Sequence, residues 1–118
     1  MGQALEKPCV EELKSGSNLE RVLASGQFAV TGELGPPRSM NLELINRKIG
    51  YLKGFVDAAN LTDNQTGIVR LSSIATSILC HQGGLEPVMQ MTCRDRNRLA
   101  MQSDLLGANI HGVKNLLC

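Results

Sequence analysis

Four short extended runs begin near residues 27, 55, 87 and 113, and a stretch with helical spacing follows each of the first three. An interval of roughly 30 residues is the length of a strand, a crossover helix and the return to a neighbouring strand. Strands joined by such crossovers run parallel, and the crossovers turn with one hand. The runs are apolar with few alternating charges, as strands covered by helices should be. The pattern predicts an α/β chain of parallel βα units. No segment of sequence is duplicated, so the repetition is one of architecture.

The first run is Gln27 to Glu33, and it stops at Leu34-Gly35-Pro36-Pro37 because proline cannot continue a ladder. From Asn41 to Lys53, Leu42, Ile45, Ile49 and Leu52 step by three and four, and Gly54 supplies the stop. The second run, Phe55 to Leu61, gives way to a polar turn over 62–67. Leu71, Ile74, Ala75, Ile78 and Leu79 then restore helical spacing as far as Gly83-Gly84. The third run is Pro87 to Thr92. Cys93 to Asn97 leads into a helix with Leu99, Gln102, Leu105 and Leu106 on related faces, closing near Gly107 or Gly112, and Val113 to Cys118 begins a fourth strand. Ahead of the first strand, Ser17-Asn18-Leu19-Glu20 has the form of a capping box for a short helix that reaches Ala24 and ends at Gly26. Residues 1–16 read as an N-terminal arm with one helical turn around Val10 to Leu13.

Two parallel architectures fit this order, a doubly wound open sheet and a (β/α)8 barrel. No G-x-G-x-x-G follows the first strand, which weakens the dinucleotide-binding version of the open sheet. A barrel needs about 250 residues, so a chain of 118 supplies about half of one. Pattern alone does not separate the two.

Composition removes several functions. With 42% hydrophobic and 19% charged residues the chain has ordinary globular usage, away from the signature of disorder. Lys and Arg number 12 against 11 for Asp and Glu, and a net charge of +1 gives no field to hold a phosphate backbone or an anionic membrane. One Tyr, two Phe and no Trp leave few platforms for stacked bases. Neither nucleic acid nor membrane is expected as a partner. The first residues lack the apolar core of a secretory signal, and no run approaches the roughly 20 apolar residues of a membrane span, so a cytoplasmic protein is expected. Cys9, Cys80, Cys93 and Cys118 lie far apart with no C-x-x-C pair, which reads as reduced and mostly buried thiols and not as a metal site or disulfide framework.

In either architecture the functional groups belong at the carboxyl ends of the strands. The polar residues gather there: Glu33, then Thr62-Asp63-Asn64, then Gln90 and Thr92 with Arg94 and Asp95 beyond. Glu33 lies between an apolar strand and a Pro-Pro loop, where burial would keep its carboxyl protonated and ready to act as a general acid. On spacing alone a solvated strand-end carboxylate is the favoured reading. Thr62-Asp63-Asn64 also reads as an Asx turn and helix cap, and Asp95 as an N-cap. His81 and His111 lie late in helices, where the dipole explains them, and Met89, Met91 and Met101 read as core filler.

Specific strings carry a resemblance. Val30-Thr31-Gly32-Glu33-Leu34-Gly35-Pro36-Pro37, Asn60-Leu61-Thr62-Asp63-Asn64 and Gln90-Met91-Thr92-Cys93-Arg94-Asp95-Arg96-Asn97-Arg98, with the Leu-Leu-Gly-Ala helix end, resemble methylenetetrahydrofolate reductases in order and interval. The resemblance covers residues 17–118. It implies a flavin-binding (β/α)8 barrel, here its first three βα units and fourth strand, and the reduction of 5,10-methylenetetrahydrofolate to 5-methyltetrahydrofolate. It puts the catalytic acid on Glu33. It puts flavin contacts on Thr62, with Asp63 and Asn64 beside it, and on Gln90 and Thr92, with FAD favoured over FMN. Gln90 stands where some relatives carry His. The Asp-Asn variant after Thr62 looks like reductases of anaerobic one-carbon metabolism, so the electron source is expected to be a nicotinamide or an electron-transfer partner protein.

The family continues past the fourth strand into a Gly-Asp motif that holds the flavin, and this sequence stops before it. The expectation is an N-terminal portion, inactive alone, with an apolar barrel interior left uncovered. Such a piece should form an oligomer or bind a complementing half-barrel. The alternative is a noncatalytic partner or assembly subunit that keeps the strand-end residues.

Overall fold

The computed structural model describes residues 12–118. Their elements are helix α1 (Asn18–Ala24), strand β1 (Thr31–Leu34), helix α2 (Leu42–Leu52), strand β2 (Ala58–Leu61), helix α3 (Ser73–Gln82), strand β3 (Pro87–Gln90), helix α4 (Arg98–Ile110) and strand β4 (Asn115–Leu117), with a 3-10 turn at Gln65–Gly67. Most of the expected N-terminal arm, including Cys9 and Val10, lies outside the described residues. Glu12 and Leu13 are not helical.

The four strands form one parallel sheet in the order β1-β2-β3-β4. A doubly wound sheet reverses its strand order and carries helices on both faces. Here the order is sequential, and α2, α3 and α4 all pack against one face. That is the arrangement of consecutive units in a (β/α)8 barrel.

The register explains the core. Leu34 stands opposite Leu61, Leu61 opposite Met89, and Met89 opposite Leu116, so one apolar row crosses the sheet toward the helices. Leu34, Ala59 and Leu61 pack against Ile45 and Ile49 of α2 and Cys80 of α3. Met89 and Met91 pack with Ala108 and Val113, flanked by Ile74, Ile78, Met101 and Leu105. Gly32 lets the chain pack tightly there: a Cβ would lie 3.2 Å from Leu52 and 3.3 Å from Val56, so those side chains would have to shift by a few tenths of an ångström.

Helix α3 departs from the expected stripe. Its fully buried positions are Ser73, Thr76, Ser77 and Cys80, whereas Ile74, Ile78, Leu71 and Leu79 flank them. Small side chains let this helix approach the sheet closely, and the larger ones fill the grooves to α2 and α4. The helical period was legible; the choice of the small, partly polar face was not, because hydrophobicity ranks Ile and Leu above Ser and Thr. In α4, Leu99 and Leu106 are 78% and 75% exposed, so only Met101, Leu105 and Ala108 of that helix face the core.

All four strands are shorter than expected, each for an identifiable reason. Gln27 to Ala29 have no neighbour to pair with, because β2 begins only at Ala58 and Phe55 is held in a turn by its bond to the Leu52 carbonyl. Strand β3 ends at Gln90 because the Thr92 amide is diverted to the Asp63 carboxylate. The Val113 amide closes the end of α4 on the Ala108 carbonyl, which delays β4 to Asn115.

The opposite face of the sheet is not the apolar surface expected. Alternation along the strands places Thr31, Glu33, Asn60, Thr62, Gln90 and Asn115 there, with Ala58, Val88 and Leu117. Glu33, Asn60, Val88 and Asn115 form a single row across it. No helix among the described residues packs on this face.

Helix α1 closes the other end of the sheet. The Asn18 and Leu19 amides donate to the Glu86 carboxylate, and Asn18 Nδ2 donates to the Asp57 carbonyl, immediately before β3 and β2. The capping box is half formed. The Ser17 hydroxyl accepts from the Glu20 amide, but the Glu20 carboxylate reaches back to the amides of Lys14, Ser15 and Gly16. The Ser15 hydroxyl and then the Lys14 amide are the main causes that hold the Glu20 carboxyl at about 2.

Candidate functional site

The carboxyl ends of β1, β2 and β3 converge on one group of side chains. Thr62 and Asp63 are 6% and 4% exposed, unusually deep for strand-end polar residues. Both oxygens of the Asp63 carboxylate are engaged: Oδ2 accepts from the Thr92 amide at 2.9 Å, from the Thr92 hydroxyl at 3.1 Å and from Arg96 Nη1, and Oδ1 accepts from Arg96 Nη2 at 3.0 Å. Burial opposes the charge on Asp63. The hydrogen bonds from Arg96 and Thr92 and the positive charge of Arg96 outweigh it, and they hold the carboxyl below its ordinary value. Arg96 also donates to the Thr92 carbonyl at 2.9 Å, so one guanidinium ties the ends of β2 and β3 together.

Thr62 differs from its neighbour. Its Oγ1 is buried and has no hydrogen-bond partner among the described residues. A buried hydroxyl without a partner is costly, and the Ser77 hydroxyl and Arg70 Nε share this condition. Gln90 is half-buried, with its carbonyl held by the Ser73 hydroxyl at 2.7 Å, and its side chain makes no hydrogen bond among the described residues. Thr62 follows Asn60 by two residues, one past the end of β2, and Gln90 follows Val88 by two on β3, so continued alternation puts both on the open face.

Asn64 adopts a left-handed conformation with φ of 42°, which asparagine tolerates better than most residues. Its Oδ1 accepts from the Arg70 amide at 2.8 Å and its carbonyl from Arg94 at 3.2 Å, so this side chain shapes the loop. Arg70 and Leu71 in turn hold the carbonyls of Pro36 and Pro37, and Lys48 holds the carbonyl of Gly35 at 2.9 Å. The loop that follows Glu33 is thereby fixed to both α2 and the β2 loop.

Glu33 is exposed, which corrects the burial expected of it. It lies on the open face opposite Asn60 and lines a cleft of about 220 Å³ with Gly35, Lys48 and Tyr51. A larger hollow of about 370 Å³ lies beside α1, among Leu13, Leu19, Leu23 and Asn115, away from the strand ends and their polar groups. Asp95 does not cap α4: Asn97 does, through its Oδ1 and the Ala100 amide, while Asp95 pairs with Arg94. Cys80 is buried, which pushes its thiol up to about 12, but Cys93 and Cys118 are exposed, against the expectation of mostly buried thiols. His81 and His111 stand at helix ends, away from the strand-end groups.

Sequence reasoning passed over two residues of this site. Asn60 shares the open face with Thr62, which period-2 counting back from Thr62 would have found. Arg96 sits within the quoted Thr-Cys-Arg-Asp-Arg-Asn string, but nothing in the spacing tells which of its two arginines turns inward.

Among the described residues no helix is long and apolar enough to cross a membrane. No curated protein and no solved structure matches the chain. A family model, described as methylenetetrahydrofolate reductase, matches residues 18–118, a span that contains every strand-end residue named above. With sequential parallel βα units beneath it, this match shows that the chain belongs to the methylenetetrahydrofolate reductase family.

Proposed function

We propose that the chain carries part of the site at which 5,10-methylenetetrahydrofolate is reduced to 5-methyltetrahydrofolate, with a flavin as the redox cofactor and Glu33 as the acid. The observation that carries this reading is the presence of Glu33, Asn60, Thr62 and Gln90 on one open face at the strand ends, with the Thr62 hydroxyl buried and unpartnered. A flavin has hydrogen-bonding ring edges and hydroxyls that can meet such a hydroxyl and a neighbouring carboxamide. The residues present therefore fit the group, with FAD favoured over FMN by the family resemblance.

Thr62 and Gln90 would hold the cofactor, with Asn64, Asp63 and Thr92 around them. The flavin, when bound, supplies the hydride. The Glu33 carboxyl delivers a proton to the nitrogen that leaves as the folate's five-membered ring opens, and it needs to be protonated at that moment. Its exposure suits a group that must meet a substrate and be recharged from solvent between turnovers. Asn60, directly opposite, offers a carboxamide to orient either Glu33 or the folate. Electrons reach the flavin from a nicotinamide or from an electron-transfer partner protein, and further strands of the same kind, or a complementing half-barrel, pair with the outer edges of β1 and β4.

The test is flavin uptake, read by absorbance and fluorescence, by the chain joined to the strands that complete its barrel, followed by single-turnover reduction of methylenetetrahydrofolate by the pre-reduced protein. Glu33→Gln should leave flavin uptake intact and slow the folate step by about 10²- to 10⁴-fold, the usual size of a lost acid. A protein that takes up no flavin, or a variant as fast as the parent, overturns the proposal.

A further inference from the structure

We infer that Asp63 and Arg96 are positioning residues, a clamp between the ends of β2 and β3 that sets Thr62 and Gln90 for the cofactor without touching it. The inference rests on the functional reading above and separates residues which the sequence groups together. An ionised carboxylate offers about four lone-pair sites. Those of Asp63 meet four donors, two from Thr92 and two from Arg96. Three of these donors fall on Oδ2 and one on Oδ1, and the side chain is 1% exposed, so no ligand reaches what acceptor capacity Oδ1 keeps, and a carboxylate has no proton to give.

The same reasoning sorts the neighbours. The Thr92 hydroxyl donates to Asp63, and its amide, which would have continued β3, does so as well. The Asn64 oxygens are taken by Arg70 and Arg94. The Thr62 hydroxyl and the Gln90 side chain make no hydrogen bond among the described residues. The clamp grips one residue after Thr62 and two after Gln90, and it is the only link between the two loops that is both ionic and two-pronged among the described residues. A site held on such a supporting shell loses precision when that shell is removed, even though no contact to the ligand is deleted.

The experiment measures flavin Kd and the shape of the bound flavin's visible band for the parent protein and for Asp63→Asn, Arg96→Met, Arg96→Lys and the double variant Asp63→Asn with Arg96→Met, with far-ultraviolet circular dichroism to confirm folding. Asp63→Asn and Arg96→Met should each weaken flavin by roughly tenfold, as loss of an outer shell does elsewhere, and should alter the visible band. The double variant should be no weaker than the worse single, because the two residues act as one unit. Arg96→Lys should fall between, since an ammonium replaces the charge but not the fork. Parent-like Kd and spectrum in both single variants, or losses that add in the double, overturn the assignment while leaving the functional reading standing. Failure of the parent itself to bind flavin overturns the functional reading and this inference with it.

Discussion

Glu33 and Asn60 stand directly opposite one another on β1 and β2, and the Asn60 carboxamide has no hydrogen-bond partner among the described residues. Directly opposed side chains on one face of a sheet lie within contact range. Asn60→Ala should therefore slow the folate step by roughly tenfold, about 1.4 kcal/mol, while flavin Kd stays unchanged. Single-turnover kinetics with flavin titration checks both halves, and an equal loss in flavin affinity would move Asn60 out of the acid's neighbourhood.

Thr62 should separate stability from binding. Its buried hydroxyl has no partner, so replacing it by a methyl of the same shape removes an unsatisfied group. Thr62→Val should leave the flavin-free protein as stable as the parent or stabilise it by up to about 1 kcal/mol, and weaken flavin by about tenfold. Denaturant unfolding without flavin and a binding titration give the two numbers.

Much of this was legible in the chain. Helix α2 follows its stripe of Ile45, Ile49 and Leu52 to within a residue, because one period and one capping residue, Asn41, determine it. Strand ends were less legible, since Thr92 leaves the ladder for a carboxylate 29 residues away. The topology gathers Glu33, Thr62 and Gln90, the polar strand-end residues legible in the sequence, on one face. The division of labour between Thr62 and Asp63 did not follow, because adjacent polar residues look alike until Arg96 is seen to occupy one of them.

Acid should test the clamp. Asp63 has its carboxyl lowered below 3.8 in the folded chain, so its contribution to stability is complete above that value and is lost as pH falls through the lower folded value. Asp63→Asn should lower stability by about 1–3 kcal/mol at neutral pH and flatten the acid limb of the stability curve. Urea unfolding between neutral pH and the acid range checks it; parallel curves for the two proteins would contradict the role given to Asp63.

Gly112 joins α4 to β4 with φ of +86°, and a Cβ there would lie 2.5 Å from His81 Nε2. Gly112→Ala should cost about 1–2 kcal/mol for the left-handed backbone alone, with a further loss as the imidazole is displaced. Adding His81→Ala should recover the second part and leave the first, which thermal unfolding of the two variants resolves.

Glu86 should govern α1 without governing the site. The helix has seven residues and none is buried, so neither its length nor its packing explains why it forms. What it has is a carboxylate from outside: Glu86 accepts from the Asn18 amide at 2.6 Å and the Leu19 amide at 2.7 Å, two of the donors that a helix start leaves free. Charge-assisted bonds at the positive end of the helix dipole are the strongest available there. Glu86→Ala should strip hydrogen-exchange protection from residues 18–24 and lower stability by about 1–3 kcal/mol, and Glu86→Gln, which keeps one acceptor oxygen, should do less. Because α1 contacts the amino ends of β2 and β3 and the site lies at their carboxyl ends, flavin affinity should stay within about twofold of the parent, a change of about 0.4 kcal/mol. Loss of flavin binding in step with the loss of protection would mean that the two ends of the sheet are coupled, and α1 would then belong to the description of the site.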